Sequence, residues 1–341
     1  MTETVLSVEG LNIAFAAGRA RRPAVRDLSF SVRRGETLAL VGESGCGKSI
    51  TALSLLGLLP PAGRVESGTV RLEGRALTGL SEGDLRKVRG ARIAMIFQEP
   101  MTALNPVLTI GEQVMEAILE HEPIGRAAAR ARALALLDQV HIPDARRRFA
   151  DYPHRLSGGM RQRVMIAMAL ALSPAVLVAD EPTTALDVTI QAQILALIDE
   201  LKRAHGTAVV LITHDLGVVA QHAERVLVMY AGRQVEARAT TDLFAQPLHP
   251  YTRGLIAARP ALGAAGRGRR LTEIPGTVPS LAAMPDGCAF APRCAHADAA
   301  CGAGTPPLRP VAGGAVACLK ALTLPDQDSH AGSPRPAALS A

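Results

Sequence analysis

Apolar and polar positions alternate in short runs at the start of the chain, over residues 5–8, 11–15, 28–32 and 38–41, with Gly- and Arg-rich turns between them. A period of two predicts strands half buried in a sheet. After Gly47 the period changes: Ile50, Leu53, Leu56 and Gly57 recur at helical spacing, so a strand, a glycine loop and a helix follow one another. Residues 93–97 predict a further strand, and the stretch to about 140, including the Ala- and Arg-rich run 127–137, predicts a helical insert. A helix after Ser157, a strand over 175–179, a helix over 188–204, a strand over 208–212, a helix after His214 and a strand over 226–229 complete the pattern. Such alternation predicts an α/β fold on a mostly parallel core sheet. From about residue 247 the texture turns to Gly, Pro and Ala with little periodicity, which predicts a small accessory region and a disordered tail over 321–341.

Composition sets the scale of that core. With 341 residues, 48% of them apolar and 20% charged, one domain of about 250 residues plus an appendage is expected. Aromatics are 3% with no Trp, so Ala, Leu, Val and Ile must build the interior. The net charge of +6 collects in basic runs at 19–22, 146–148 and 267–270. Without interleaved aromatics or a nucleic-acid module these runs read as solvated loops, and no nucleic-acid partner is expected. The first ten residues contain acids and no continuous apolar stretch, and residues 164–179 are broken by Ser173-Pro174 between Arg163 and Asp180. Neither a secretory signal nor a membrane span is therefore predicted, and a cytoplasmic location is expected.

Chemistry first shows in Gly42-Glu43-Ser44-Gly45-Cys46-Gly47-Lys48-Ser49, which follows the strand 38–41 and opens a helix at Ile50. That is the setting of a phosphate-binding loop: glycines turn backbone N–H groups inward, the helix start adds positive potential, Lys48 reaches the outer phosphates and Ser49 gives Mg²⁺ an oxygen. Cys46, beside Lys48 and a helix N-terminus, is expected to be a reactive thiolate protected by MgATP. The strand 175–179 then delivers Asp180 and Glu181, placed for one carboxylate to hold Mg²⁺ and its neighbour to orient an attacking water. Alternatively Asp180 caps a helix and Glu181 is a surface acid.

A family resemblance becomes specific at Leu156-Ser157-Gly158-Gly159-Met160-Arg161-Gln162-Arg163, which resembles the signature sequence of ABC ATPases. Ser157 with Gly158 and Gly159 brings a hydroxyl, bare amides and a helix start together, a second phosphate-binding surface. Met160 stands where the commonest signature has Gln. The resemblance implies a P-loop ABC nucleotide-binding domain over 1–246, with an antiparallel β subdomain and a helical subdomain over about 99–172. It also implies a head-to-tail dimer, with itself or a paralogue, in which each signature closes over the partner's ATP. By the same resemblance Gln98 is the Q-loop residue that senses the metal, Ala185-Leu186-Asp187 the D-loop, and His214 the switch histidine on the γ-phosphate. Phe15 stands where family members stack an aromatic on adenine. Taken singly, Gln98 is a loop amide, Asp187 a cap, His214 a core or capping histidine and Phe15 a core residue.

Within that family the chain is most similar to ATPases of dipeptide, oligopeptide and nickel importers. Gln98-Glu99-Pro100-Met101-Thr102-Ala103-Leu104-Asn105-Pro106, the signature, and His249-Pro250-Tyr251-Thr252 carry the likeness, followed by Cys288-Ala289-Phe290-Ala291-Pro292-Arg293-Cys294. The HPYT stretch by itself reads as a helix start, with Pro250 in the first turn. An importer ATPase implies two membrane permease subunits, a solute-binding protein acting indirectly, and a peripheral position on the cytoplasmic face of the inner membrane. A soluble ABC protein of translation or repair, or a non-hydrolysing scaffold, are the competing readings. Cys288, Cys294, Cys301 and Cys318 gather within the extension over 247–320, at intervals of five, six and sixteen residues. Those intervals lack the C-x₂-C pairs of zinc modules, so a 4Fe-4S cluster is expected, with zinc or four free thiols as alternatives; the resemblance points the same way.

Overall fold

The computed structural model describes residues 3–18, 20–98, 103–184, 186–258, 273–281 and 283–324. Outside these lie Glu99, Pro100, Met101, Thr102 and Ala185, the basic run 267–270, and residues 325–341 of the expected tail.

The first third of the chain runs β1 (Thr4–Ala17), β2 (Ala20–Arg33), β3 (Thr37–Val41), α1 (Lys48–Leu55), β4 (Gly63–Leu72), β5 (Arg75–Ala76), α2 (Glu82–Val88) and β6 (Ile93–Ile96). Strands β2-β1-β4-β5, in that order, form an antiparallel sheet. The hydrophobic pattern separates 5–8 from 11–15, but these are one strand whose register slips between Val8 and Leu11. A bulge of this kind shifts the side chains that face the core and so breaks the alternation without ending the strand.

Helices α3 (Ile110–Leu119), α4 (Arg126–Gln139), α5 (Ala145–Arg148) and α6 (Gly158–Leu170) follow. The first starts at Thr109, which forms a capping box with Glu112. Ile110, Val114, Ile118, Ala129, Ala133 and Leu137 interlock beneath them, an apolar stripe at three- and four-residue spacing.

The chain then alternates through β7 (Val176–Asp180), α7 (Val188–His205), β8 (Ala208–Ile212), α8 (Leu216–His222), β9 (Arg225–Tyr230) and β10 (Arg233–Ala239). After α9 (Thr240–Ala245) and α10 (Pro250–Ala257) come α11 (Ala299–Ala303), β11 (Arg309–Val311) and β12 (Gly314–Val316). The core sheet has the order β11-β12-β10-β9-β3-β8-β7-β6. Its members β9, β3, β8, β7 and β6 pair in parallel, as the strand–helix alternation predicts. Every residue of β3, β7 and β8 is buried, the continuous apolar run of a sheet covered on both faces. The hydrophobic pattern does not announce β10 or β4. Through β12, which pairs with β10, the region after residue 247 continues the core sheet.

Parallel pairing fixes where chemistry can happen. All five strands end on the same edge, so the loops after β3, β6, β7 and β8 open side by side.

Candidate active site

The loop after β3 wraps back on itself before α1. Gly42 has φ 153°, and a Cβ there would sit 2.3 Å from the carbonyl oxygen of Met229, so no other residue fits. Gly47, at φ 104°, caps the start of α1. Lys48 is only 7% exposed. Its Nζ donates to the carbonyls of Gly42 at 2.7 Å and Glu43 at 3.0 Å, which aims the ammonium across the mouth of the loop. Ser44 and Gly45 are exposed at the loop tip, and Ile50, in the first turn of α1, is half-buried against the core. Cys46 is fully buried, and burial pushes its thiol above the ordinary range despite the Lys48 charge 3.6 Å away. The expectation of a reactive thiolate is thereby corrected: desolvation outweighs the lysine and the helix start.

Asp180 ends β7 and is 4% exposed. Ser49 Oγ, in the first turn of α1, donates to its Oδ1 at 3.2 Å, so a helix-start hydroxyl and a strand-end carboxylate meet beside the phosphate loop. Burial first, and then the charge of Glu181, push the Asp180 carboxyl upward against that hydrogen bond. A hard cation with oxygen ligands would relieve this buried charge, and the donor set therefore fits Mg²⁺.

Glu181 has φ 45°, a left-handed conformation that turns its side chain out of the strand line. Three neighbours hold the carboxylate. Gln98 Nε2 donates to Oε2 at 3.1 Å, Thr184 Oγ1 donates to Oε2 at 2.8 Å, and His214 Nδ1 lies 3.3 Å from Oε1. Burial raises the Glu181 carboxyl, but the bonds from Thr184 and His214, with the charge of Lys48, outweigh it and leave it below its usual range. An ionised carboxylate on the rim, oriented by three side chains, can accept a proton from water. The side chain of His214 is 70% exposed, so it faces the open edge rather than the core. Thr184 escapes sequence reasoning, because a lone Thr three residues past a carboxylate carries no periodic or motif signal.

Ser157, Gly158 and Gly159 are at the start of α6, where Ser157 Oγ accepts the N–H of Met160 at 3.3 Å. This helix packs against β6, three strands from β3 in the sheet, a separation of roughly 14 Å at normal strand spacing. The chain therefore does not bring these residues onto its own phosphate loop. Asp187 caps α7 by accepting the N–H of Ile190 at 2.9 Å. Phe15 is half-buried on β1, two residues past Ile13, whose partner Val25 lies against Gly47.

In the C-terminal region His249 caps α10, with Pro250 in its first turn. Its Nδ1 accepts the N–H of Tyr251 while its own N–H donates to the buried Glu236. Full burial pushes the imidazole down to about 3. Cys288, Cys294, Cys301 and Cys318 line one small cavity together with His249 and Phe290. Among the described residues no three or more His, Cys, Asp or Glu side chains are drawn together as a metal-ion site. Burial pushes the thiols of Cys288, Cys294 and Cys318 upward, and neighbouring cysteines add to it.

Comparisons with known proteins agree with this geometry. Residues 25–184 match the family described as ABC transporter, and residues 235–301 the family described as oligopeptide/dipeptide transporter, C-terminal region. The chain is 52% identical over 300 residues to the dipeptide transport ATP-binding protein DppD of Bacillus subtilis (strain 168), covering 88% of this chain and 89% of that one. It is 50% identical over 319 residues to the oligopeptide transport ATP-binding protein OppD of Escherichia coli (strain K12), covering 93% and 94%. Among solved structures, a dimeric post-hydrolysis state of the ATP-binding cassette MJ0796 bound to ADP and Pi superposes with a TM-score of 0.62. The two are 28% identical, and the match covers 69% of this chain and 98% of that one.

Proposed function

The chain belongs to the ABC transporter ATP-binding family, in its dipeptide and oligopeptide branch, and we propose that it is the subunit whose ATP hydrolysis drives peptide import. The observation that carries this is the convergence at one sheet edge of Lys48, the Ser49–Asp180 pair and the Gln98–Glu181–His214 group. Lys48 and the loop amides would hold the phosphates, and Ser49, Asp180 and Gln98 would hold Mg²⁺, which supplies charge neutralisation on the transferred phosphoryl group. Glu181 orients and deprotonates the attacking water, and His214 reaches the γ-phosphate from the exposed rim. Phe15 offers a ring to adenine.

Because α6 stands off its own phosphate loop, Ser157, Gly158 and Gly159 serve a second ATPase chain in a head-to-tail dimer, and Asp187 lies at the same seam. The exposed apolar side chains of Phe97 and Val107, on either side of the Gln98 loop, suit contact with a membrane permease. No described helix is long and apolar enough to cross a membrane. The likeness to dipeptide and oligopeptide transport ATP-binding proteins supports two separate permeases and an extracytoplasmic solute-binding protein as the rest of the importer. The chain is then peripheral, on the cytoplasmic face of the membrane. Nickel is the less favoured cargo, since the compared relatives carry dipeptide and oligopeptide names. The test is uptake of a radiolabelled dipeptide by cells expressing the chain with its genomically adjacent permeases. Uptake should vanish with Lys48→Ala; uptake that persists, or nickel uptake lost in its place, would overturn the reading.

The four cysteines support a narrower proposal, a structural 4Fe-4S cluster in the C-terminal region. The four thiols line one cavity, and four cysteine thiolates are the ligand set such a cluster takes. Anaerobically purified protein should be brown and carry about four irons per chain. Colourless protein with one zinc, or with no metal, would refute it.

A further inference from the structure

Arg293 comes from the Cys-rich region, between Cys288 and Cys294 in sequence, yet its side chain is 5% exposed and reaches the phosphate loop. Its guanidinium bonds both oxygens of Glu43, Nη1 to Oε2 at 2.6 Å and Nη2 to Oε1 at 2.9 Å. The remaining donors reach the Tyr230 hydroxyl at 3.3 Å and the carbonyls of Pro275 at 2.8 Å and Ile274 at 3.3 Å. All five N–H groups of the fork are thus matched, which fixes its plane and position. The Tyr230 and Phe290 rings lie beneath it, 5.7 and 5.9 Å from its centre.

Glu43 is gripped a second time. Its backbone N–H donates to the Tyr251 hydroxyl at 2.7 Å, and Tyr251 stands on α10, the helix that the HPYT stretch begins. The Tyr251 ring packs edge-on against Tyr230, 4.7 Å between centres, and against Phe290. The carbonyl of this same Glu43 accepts the Lys48 ammonium at 3.0 Å. One residue of the loop is therefore held by its carboxylate and amide from the C-terminal region, and its carbonyl holds the phosphate-binding lysine. The Glu43 carboxylate itself is occupied by Arg293.

We propose that Arg293 and Tyr251 are positioning residues that set the phosphate loop through Glu43, so that the C-terminal region determines how tightly the ATPase binds nucleotide. This deepens the reading of 42–49 as a phosphate loop and rests on it. Without Arg293 the Glu43 carboxylate loses its fork, and the loop samples shapes in which its amides no longer converge. The binding-competent fraction falls and apparent affinity falls with it. Chemistry at Glu181 is untouched once nucleotide is bound, so the effect falls on KM rather than kcat.

The test is titration of the full-length chain with a fluorescent ATP analogue, paired with steady-state hydrolysis and a melting curve. Arg293→Met is expected to weaken binding about tenfold and raise KM in parallel, with kcat at saturating ATP within about twofold. Arg293→Lys, which keeps charge but not the fork, should recover part of the loss. Tyr251→Phe, which deletes only the hydroxyl, should weaken binding a few-fold in a protein that melts close to wild type. Combining Arg293→Met with Glu43→Gln should add little to either change alone, because both cut the same link. Wild-type affinity in folded Arg293→Met and Tyr251→Phe, or fully additive losses in the double variant, would overturn the proposal. Lys48→Ala is the separate check: if it still binds nucleotide normally, the phosphate-loop reading itself fails.

Discussion

Replacing Glu181 by Gln tests the catalytic assignment with little change of shape. Both Gln98 Nε2 and Thr184 Oγ1 donate to the same oxygen, Oε2. An amide oxygen placed there keeps both bonds, and the new NH₂ turns toward His214 Nδ1, 3.3 Å from the other oxygen, where it can donate. Each bond drops from the charged range of about 1.5–3 kcal/mol to the neutral range of about 0.5–1.5 kcal/mol, a loss of about 1 kcal/mol per bond. The protein should therefore fold and bind ATP. What disappears is the acceptor for the water proton, a contribution of about 10²–10⁴ in rate, or about 2.7–5.4 kcal/mol of barrier. The assay is phosphate release at saturating MgATP in the assembled importer, with nucleotide retention measured in parallel. Slow release with ATP trapped in a closed dimer is the expected result. Turnover within about threefold of wild type, or loss of ATP binding together with turnover, would refute the reasoning.

Other consequences follow from the same site. Asp180→Asn removes a carboxylate whose ionised form burial disfavours, so the nucleotide-free protein should melt higher while the further stabilisation by MgATP is lost; thermal melts with and without MgATP read both. Thr184→Ala deletes the largest hydrogen bond holding the Glu181 carboxyl down, so the acidic limb of the kcat–pH profile should move to higher pH. His249 is neutral and buried, with its folded value at about 3 below the ordinary 6.5. The unfolded chain therefore binds the extra proton between those pH values, and stability should be complete above about pH 6.5 and decline as pH falls toward 3, by on the order of 5 kcal/mol at most. His249→Asn, which keeps a cap acceptor, should flatten that slope in denaturant titrations at stepped pH. Maleimide should leave Cys46 unlabelled in the native protein with or without nucleotide, and label it only after unfolding, as peptide mapping would show.

The sequence by itself determined the phosphate loop, the acidic strand end, the signature and their order, because each is a contiguous stretch whose residue types are dictated by local backbone chemistry. Gly42 must be glycine wherever the loop passes the Met229 carbonyl, and β7 must be apolar up to Asp180 to lie inside a covered sheet. Strand–helix alternation likewise carried the parallel core, since βαβ connections leave few other arrangements. Other features belong to contacts between segments far apart in the chain. The bulge that joins 5–8 to 11–15 into β1 depends on how β2 and β4 pair with it. The state of Cys46 turned on burial, which local charge does not reveal. Thr184 acquires its role from the Glu181 rotamer, and Arg293 from a partner 250 residues away. A single arginine has no period and no motif, so only the packing of the C-terminal region against the loop after β3 could decide that it grips Glu43.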